Sequence, residues 1–79
     1  MERRLCDLKI GQRGVICALR NTGAMRRRLL DIGLVPGTGT LCVGRSPGGD
    51  PAAYLIRGAV IAIRDADAAL IIIRPQEEE

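Results

Sequence analysis

The chain has 79 residues, of which 47% are hydrophobic and 27% are charged, and its formal net charge at pH 7 is +3. A chain of this length forms one domain and has too little interior for a second. It contains no histidine, which removes the commonest transition-metal ligand and the usual general base at neutral pH. The composition therefore argues against a catalytic centre or a histidine-based metal site.

The core has to be aliphatic, because the chain has no Phe, no Trp and a single aromatic residue, Tyr54. Branched aliphatic residues favour strands over helices. No apolar run approaches the roughly 18 residues that cross a bilayer, and the first residues lead into no apolar signal segment. We expect a small β-rich protein of the cytoplasm.

The first predicted strand covers residues 15–19, an apolar run that follows Gly14 and stops at Arg20. Leu5, Leu8 and Ile10 precede it as further apolar positions. The strand is followed by a segment of helical rather than strand periodicity.

A short helix is predicted after this strand. Asn21 or Thr22 can cap it by accepting a hydrogen bond from an amide of the first turn. Met25, Leu29 and Ile32 recur at positions i, i+4 and i+7, so one stripe of the helix is apolar. The helix is therefore expected to lie with this stripe on the core.

The same segment contains a stop signal and a turn. Gly33 stands where a residue with positive φ ends a helix, and Leu34 can then pack back on Leu29 as in a Schellman motif. Pro36 and Gly37 supply the first and second central residues of a type II turn. The helix is limited to about three turns by these residues.

The second half of the chain predicts four more strands and one loop. Residues 46–51 carry too many turn formers for a regular element, and residues 65–69 form one helical or 3₁₀ turn. The strands cover residues 41–43, 53–57, 59–63 and 70–73, the third following a break at Gly58. The last strand is apolar throughout, which indicates burial on both faces.

Short strands of this spacing, with glycines between them, predict an all-β fold. About five strands can form a small antiparallel barrel, in which closure removes exposed strand edges. One short α-helix accompanies the barrel, and the last strand is expected to lie near the first.

Three motifs in order give the chain a resemblance to a known family. They are Arg-Leu-Leu-Asp-Ile followed by Gly-Leu-Val-Pro-Gly-Thr at residues 33–38, Gly49-Asp50-Pro51 in the loop, and Arg57-Gly58 with Ala62-Ile63-Arg64 beyond it. Together they resemble the FeoA family over nearly the whole chain. The resemblance implies an SH3-like barrel. Pro75 ends the predicted order, so we expect residues 1–75 to form the domain and residues 76–79 to form a disordered acidic tail.

The resemblance also implies a function. FeoA-like proteins are small cytoplasmic partners of FeoB, the membrane ferrous-iron transporter that carries a GTP-binding domain. The same fold forms the last domain of iron-dependent repressors of the diphtheria-toxin-repressor type, but this chain lacks the winged-helix DNA-binding part of those repressors. We therefore expect a non-enzymatic adaptor with no cofactor, acting in iron homeostasis by protein–protein contact.

The residues of the motifs divide into two groups. A structural group is explained by backbone geometry and comprises Gly33, Pro36, Gly37, Gly49, Asp50, Pro51 and Gly58. A candidate partner-binding group comprises Arg26, Arg27, Arg28, Leu30 and Leu34. Three consecutive arginines fan around a helix, so they cannot all face one partner.

Plainer interpretations of the second group stay open. Arg27 and Arg28 are spaced for weak surface pairing with Asp31. Leu30 lies at the border of the apolar stripe, so it is either a fourth core residue or an anchor for a partner. The loop of residues 46–51 either lines a cleft or is only a turn.

Metal and nucleic-acid binding are the competing functions. Cys6, Cys17 and Cys42 lack the spacing of zinc or redox pairs, which favours buried reduced thiols. Asp65, Asp67 and the terminal glutamates form no set suited to iron, so transition-metal binding stays a family label without an evident site. RNA binding is the alternative suggested by the positive charge, although one tyrosine offers little stacking surface. A homo-oligomer of barrels is a further alternative.

Overall fold

The computed structural model describes residues 2–76 of the chain. A 3₁₀ turn at Leu5–Asp7 follows the first strand, and two α-helices are present, α1 at Gly23–Asp31 and α2 at Asp65–Ala68. The six strands are β1 (Arg3–Arg4), β2 (Arg13–Leu19), β3 (Gly39–Arg45), β4 (Ala52–Ile56), β5 (Ala59–Ile63) and β6 (Ile71–Pro75).

The strands form one antiparallel sheet in the order β1-β6-β2-β3-β4-β5. The mainly-β prediction is confirmed, and the last strand does pair with the first of the five predicted strands, as Leu19 opposite Ile71 shows. The sixth strand, β1, was not predicted. It has only two residues, both arginine, and it exists because Arg3 and Arg4 pair with the far end of the chain in β6.

The core is aliphatic apart from one aromatic side chain. Tyr54 is fully buried, and its hydroxyl donates to the carbonyl oxygen of Leu5 at 3.4 Å. Leu5 and Leu8 belong to the core, whereas Ile10 is 61% exposed. All three isoleucines of β6 from 71 to 73 are buried, as predicted, whereas Leu70, the first residue of the predicted strand, lies outside β6 and is 43% exposed.

The predicted end of α1 is confirmed in its hydrogen bonds. The Leu34 N–H donates to the Leu29 carbonyl at 3.0 Å, and the Gly33 N–H donates to the Leu30 carbonyl at 3.1 Å. Gly33 has φ of +108°, so these bonds form a Schellman motif. The turn after it has Gly37 at φ of +94°.

The side-chain hydrogen bond predicted to cap the start of α1 is not formed. Thr22 is the N-cap residue, but its side chain makes no capping bond. Asn21 is buried, and its side-chain amide donates instead to the Asp67 carbonyl at 3.0 Å. The Asn21 side chain, which local rules assign to the cap, instead connects the segment before α1 to α2.

The cysteines differ in burial. Cys42 is buried, Cys6 is half-buried and Cys17 is exposed, and all three are free thiols. The prediction of buried thiols is therefore correct only for Cys42. Cys17 follows the buried Ile16 along β2, so the alternation of a strand turns it to the outer face.

The ordered backbone continues past the predicted end of the domain at residue 75. The Gln76 N–H donates to the Arg13 carbonyl at 3.1 Å. Residues 77–79 of the predicted acidic tail lie outside the described residues. Among residues 2–76, the helices are too short and too polar to include a membrane-spanning one.

Candidate docking surface

Helix α1 lies with its predicted apolar stripe on the sheet. Leu29 is only 3% exposed, and Met25 and Ile32 are partly buried against the same core. Because these three residues fix the rotation of the helix, they also decide which side chains face outward.

The three arginines of α1 point to different surroundings, as the helical geometry requires. Arg26 donates to the Leu19 carbonyl at 2.7 Å and is thereby tied to the end of β2. Arg26 and Arg27 both line a shallow outer depression, whereas Arg28 lines a cleft on the opposite flank of the helix. The arginine run is therefore not one patch.

The predicted surface pairing with Asp31 is not formed in residues 2–76. The ion pairs of that part of the chain are Arg20 with Glu2 and Arg45 with Asp65. Arg27 and Arg28 are exposed and have no hydrogen-bond or ion-pair partner there. Their guanidinium groups are available to carboxylates of another molecule.

Leu30 combines the two roles that its sequence position left open. It is half-buried and packs against the core, and it also lines the outer depression of about 260 Å³ together with Arg27 and Asp31. Leu34 has no such surface, because its side chain is 0% exposed in the core. Of the two candidate leucines, only Leu30 can contact a partner in this structure.

A second depression lies between α1 and β5. It has a volume of about 360 Å³ and is lined by apolar residues of both elements, including Met25, Ile32 and Ile61. Arg28, Arg64 and Asp67 also line it. We call it the α1–β5 cleft. Sequence reasoning missed it because nothing local indicates that β5 and α2 pack beside α1.

The loop of residues 46–51 is a turn that supports neighbouring elements. The Gly49 N–H donates to the Ser46 carbonyl at 2.7 Å, and the peptide bond between Asp50 and Pro51 is cis. The Asp50 side chain accepts a hydrogen bond from the Asp65 N–H at 3.0 Å. The Gly-Asp-Pro motif therefore connects the loop to the start of α2 and does not line either depression.

Arg45 joins this loop to the N-terminal segment. Its guanidinium donates to the carbonyls of Leu8 at 2.8 Å and Cys6 at 3.1 Å, and to the carbonyl of Gly49 at 3.3 Å. One side chain thus holds three backbone carbonyls that belong to two segments. Sequence reasoning did not single it out, since a lone arginine after a strand carries no local signal.

Among the described residues, two titratable groups have pKa values displaced by their surroundings. Burial, with smaller effects from Asp7 and Asp65, raises the pKa of the Cys6 thiol above its ordinary value. Burial also raises the pKa of the Tyr54 phenol well above its ordinary value. Both groups are therefore neutral near pH 7, and neither is suited to exchange protons there.

The part of the chain that the structure describes offers no preformed metal site. Within residues 2–76, no three His, Cys, Asp or Glu side chains come together closely enough to hold an ion. Asp65 is engaged by Arg45 at 3.7 Å. The side chains of residues 2–76 therefore do not form a donor set suited to a transition metal.

Short antiparallel strands around an aliphatic core, with one helix against the sheet, define the protein as a small SH3-like barrel. The fold matches the crystal structure of Stenotrophomonas maltophilia FeoA complexed with zinc, described as a prokaryotic SH3 domain protein, with a TM-score of 0.81. That match is 24% identical and covers 90% of this chain and 88% of the other.

The family follows from the sequence. The FeoA domain model matches residues 3–75, so the chain belongs to the FeoA domain family. The solution structure of FeoA from Chlorobium tepidum superposes with a TM-score of 0.91 and 30% identity, covering 98% of this chain and 73% of that one. The resemblance inferred from the three motifs is confirmed.

A curated relative places the same kind of domain in a larger protein. The chain is 35% identical over 68 residues to the Fe(2+) transport protein A/Fe(2+) transporter FeoB fusion protein of Porphyromonas gingivalis. The match covers 86% of this chain but only 8% of the relative. The chain thus corresponds to a small part of the length of that protein.

Proposed function

We propose that this protein is a cytoplasmic, non-enzymatic accessory of ferrous-iron transport that docks on the cytoplasmic GTPase part of a FeoB-type transporter. The observation that carries the proposal is the fusion relative, in which a domain of this family and the transporter are one polypeptide. Fusion raises the effective concentration of one unit at the other, which is useful where the two units work in contact.

The outer face of α1 is the docking surface in this proposal. It combines an exposed guanidinium, Arg27, with the partly exposed side chain of Leu30 in one shallow depression. An arginine can pair with a partner carboxylate through two parallel hydrogen bonds, which fixes orientation, while an apolar neighbour supplies a desolvated anchor. Leu30 lies at the Schellman end of α1, where its carbonyl accepts a hydrogen bond from the Gly33 N–H.

Regulation by contact fits the chemistry of the chain better than catalysis. The two groups with displaced pKa values are neutral near pH 7, and the described residues offer no metal cluster. Ferrous iron is, in this account, the cargo of the partner and not a resident cofactor. The effect on the transporter is then exerted through the shape and charge of the barrel surface.

A pull-down with the soluble cytoplasmic domain of the transporter tests the proposal. We expect capture by the wild type and by Arg74→Glu, an equal change of charge at an exposed position on β6. Leu30→Asp and Arg27→Glu should lose capture. Because Leu30 is partly buried, circular dichroism has to show that its variant is folded, and Arg27→Glu gives the same test without a packing change.

Other outcomes of the pull-down decide between functions. Failure of the wild type to capture the domain removes the docking proposal. RNA retained by the wild type and released by salt favours the nucleic-acid alternative. Self-association that blocks capture favours the homo-oligomer.

A further inference from the structure

Strand β5 is an open edge of the sheet. The strand order leaves β1 and β5 at the two ends, and within residues 2–76 strand β5 pairs only with β4. Exposed edges carry unpaired backbone groups that can recruit another strand, so proteins usually shorten them or place charges on them.

The two edges differ in this respect. Strand β1 has two residues, and both are arginine. Strand β5 has five residues, Ala-Val-Ile-Ala-Ile, with neither a charge nor a proline. Val60 within it is 64% exposed. The β1 edge is protected in the usual way, and the β5 edge is not.

The backbone groups available on β5 can be named. A two-residue turn at Arg57 and Gly58, both with positive φ, joins β4 to β5, and Ile56 pairs with Ala59 beside it. Hydrogen-bonded and non-hydrogen-bonded pairs alternate from that closing pair. The N–H and C=O groups of Val60 and Ala62 therefore point away from β4. No backbone hydrogen bond of the loops and turns in residues 2–76 reaches them.

The α1–β5 cleft runs beside this edge. Its apolar lining includes Met25, Ile32 and Ile61, and its volume of about 360 Å³ falls at the lower end of the range for binding clefts. Arg28 and Arg64 line it without an ion-pair partner in the described chain, and Asp67 is the third charge there. The cleft is therefore net positive as well as apolar.

We propose that the β5 edge and the α1–β5 cleft bind one extended peptide segment of a partner, which adds a strand to the sheet. Main-chain hydrogen bonds to Val60 and Ala62 supply the pairing, and aliphatic side chains of the segment enter the cleft. Carboxylates of the segment meet Arg28 and Arg64 in the same cleft, so the segment carries both aliphatic and acidic residues. This surface is separate from the outer face of α1 and does not depend on docking there.

A single strand fits this edge better than a second copy of the chain. Pairing of two β5 edges would bring the Arg28 and Arg64 side chains of both copies to one seam, where like charges repel. Helix α1 also borders the cleft on the side opposite β5. A lone acidic strand brings no second set of arginines to the seam, and it has to fit only the space between α1 and β5.

An alternating Val-Glu octapeptide is the probe for this proposal, and an alternating Val-Lys octapeptide is its matched control. We expect the Val-Glu peptide to shift the amide NMR signals of Val60 and Ala62 and to slow their hydrogen exchange. The Val-Lys peptide should bind at least about tenfold more weakly. No change at these amides up to millimolar peptide, or equal binding of the two peptides, overturns the proposal.

Variants separate this surface from the other one. Ala62→Pro removes an outward N–H without removing a bond to β4, and we expect it to weaken Val-Glu binding about tenfold or more. The double change Arg28→Glu with Arg64→Glu should do the same if the proline variant fails to fold. Arg27→Glu, on the other face of α1, should leave peptide binding unchanged even where it abolishes docking on the transporter. Concentration-dependent dimers in sedimentation that Ala62→Pro abolishes would identify a second copy as the occupant and refute the peptide.

Discussion

The side chain of Arg57 packs against Gly33. The Arg57 Cδ lies 2.5 Å from the position that a Cβ on Gly33 would occupy, so a side chain at residue 33 would displace the Arg57 side chain. Both residues have positive φ, +108° at Gly33 and +53° at Arg57. The end of α1 and the turn between β4 and β5 therefore meet at this contact. Two motifs that are separate in sequence form one junction.

Gly33→Ala is expected to destabilise the fold. The variant places a Cβ at a left-handed position and also against Arg57, and strain of this kind costs about 1–3 kcal/mol. Urea denaturation followed by circular dichroism measures the loss. We expect a lower midpoint with an unchanged slope.

Gly37→Ala is the matched control for that variant. Gly37 has φ of +94°, but a Cβ there meets nothing within 4 Å. The loss of stability in Gly37→Ala should be smaller than in Gly33→Ala, because only backbone strain contributes to it. Adding Arg57→Ala to Gly33→Ala should remove the clash and so restore the part of the stability by which Gly33→Ala falls below Gly37→Ala. Equal costs for the two glycine variants would show that the Arg57 contact does not constrain residue 33.

Tyr54 is expected to make stability fall at high pH. Burial raises the pKa of this phenol above the ordinary value of 10.0, so the unfolded state loses its proton first. The stabilising contribution of neutral Tyr54 is fully present below about pH 10. It is lost as the pH rises towards the pKa of the folded state, and the free energy of unfolding then falls by up to about 1.4 kcal/mol per pH unit.

The single tyrosine makes this measurable. With no Trp in the chain, phenolate absorbance reports Tyr54 alone, and it should appear together with unfolding. Tyr54→Phe should flatten the alkaline fall in stability, while losing about 1 kcal/mol at neutral pH with the hydrogen bond to Leu5. Ionisation of Tyr54 near pH 10 in a protein that stays folded would contradict the expectation.

Arg45→Lys is expected to be costly despite the retained charge. An ammonium group cannot donate at once to the carbonyls of Cys6, Leu8 and Gly49, and each unsatisfied buried acceptor costs about 1–3 kcal/mol. Arg20→Lys is the control, since Arg20 pairs with Glu2 on the surface, where an ion pair contributes at most about 1 kcal/mol. Similar denaturation midpoints for the two variants would refute the role given to Arg45.

The local parts of the fold were predictable from the sequence. The Schellman stop at Gly33 and the turn at Gly37 depend on the φ preferences of single residues, and strand β5 was predicted with its observed bounds. Such features depend on near neighbours in the chain, which the sequence displays directly.

The parts that depend on distant contacts were not predictable. The Asn21 side chain donates a hydrogen bond to the carbonyl of Asp67, 46 residues away, and does not cap the helix that it precedes. Strand β1 exists through its pairing with β6 at the other end of the chain. The α1–β5 cleft likewise arises where three separate elements meet. No local pattern encodes these partners.

Ferrous iron is expected not to bind the isolated protein at micromolar concentration. The chain has no histidine, and residues 2–76 contain no cluster of metal ligands. Anaerobic isothermal titration with Fe²⁺ should give no saturable heat. A saturable micromolar site would contradict the view that iron is only the transported ion of the partner. The variants Asp65→Asn and Cys6→Ser would then test whether these residues bind it.

Chemical-shift mapping with the cytoplasmic GTPase domain of the transporter tests the account most directly. Isotope-labelled protein is titrated with the unlabelled domain, and amide signals are followed residue by residue. The account predicts the largest changes around Arg27 and Leu30 on the outer face of α1, and their loss in Arg27→Glu. Unchanged spectra in the presence of excess domain, or changes confined to β2 and β3, would contradict it.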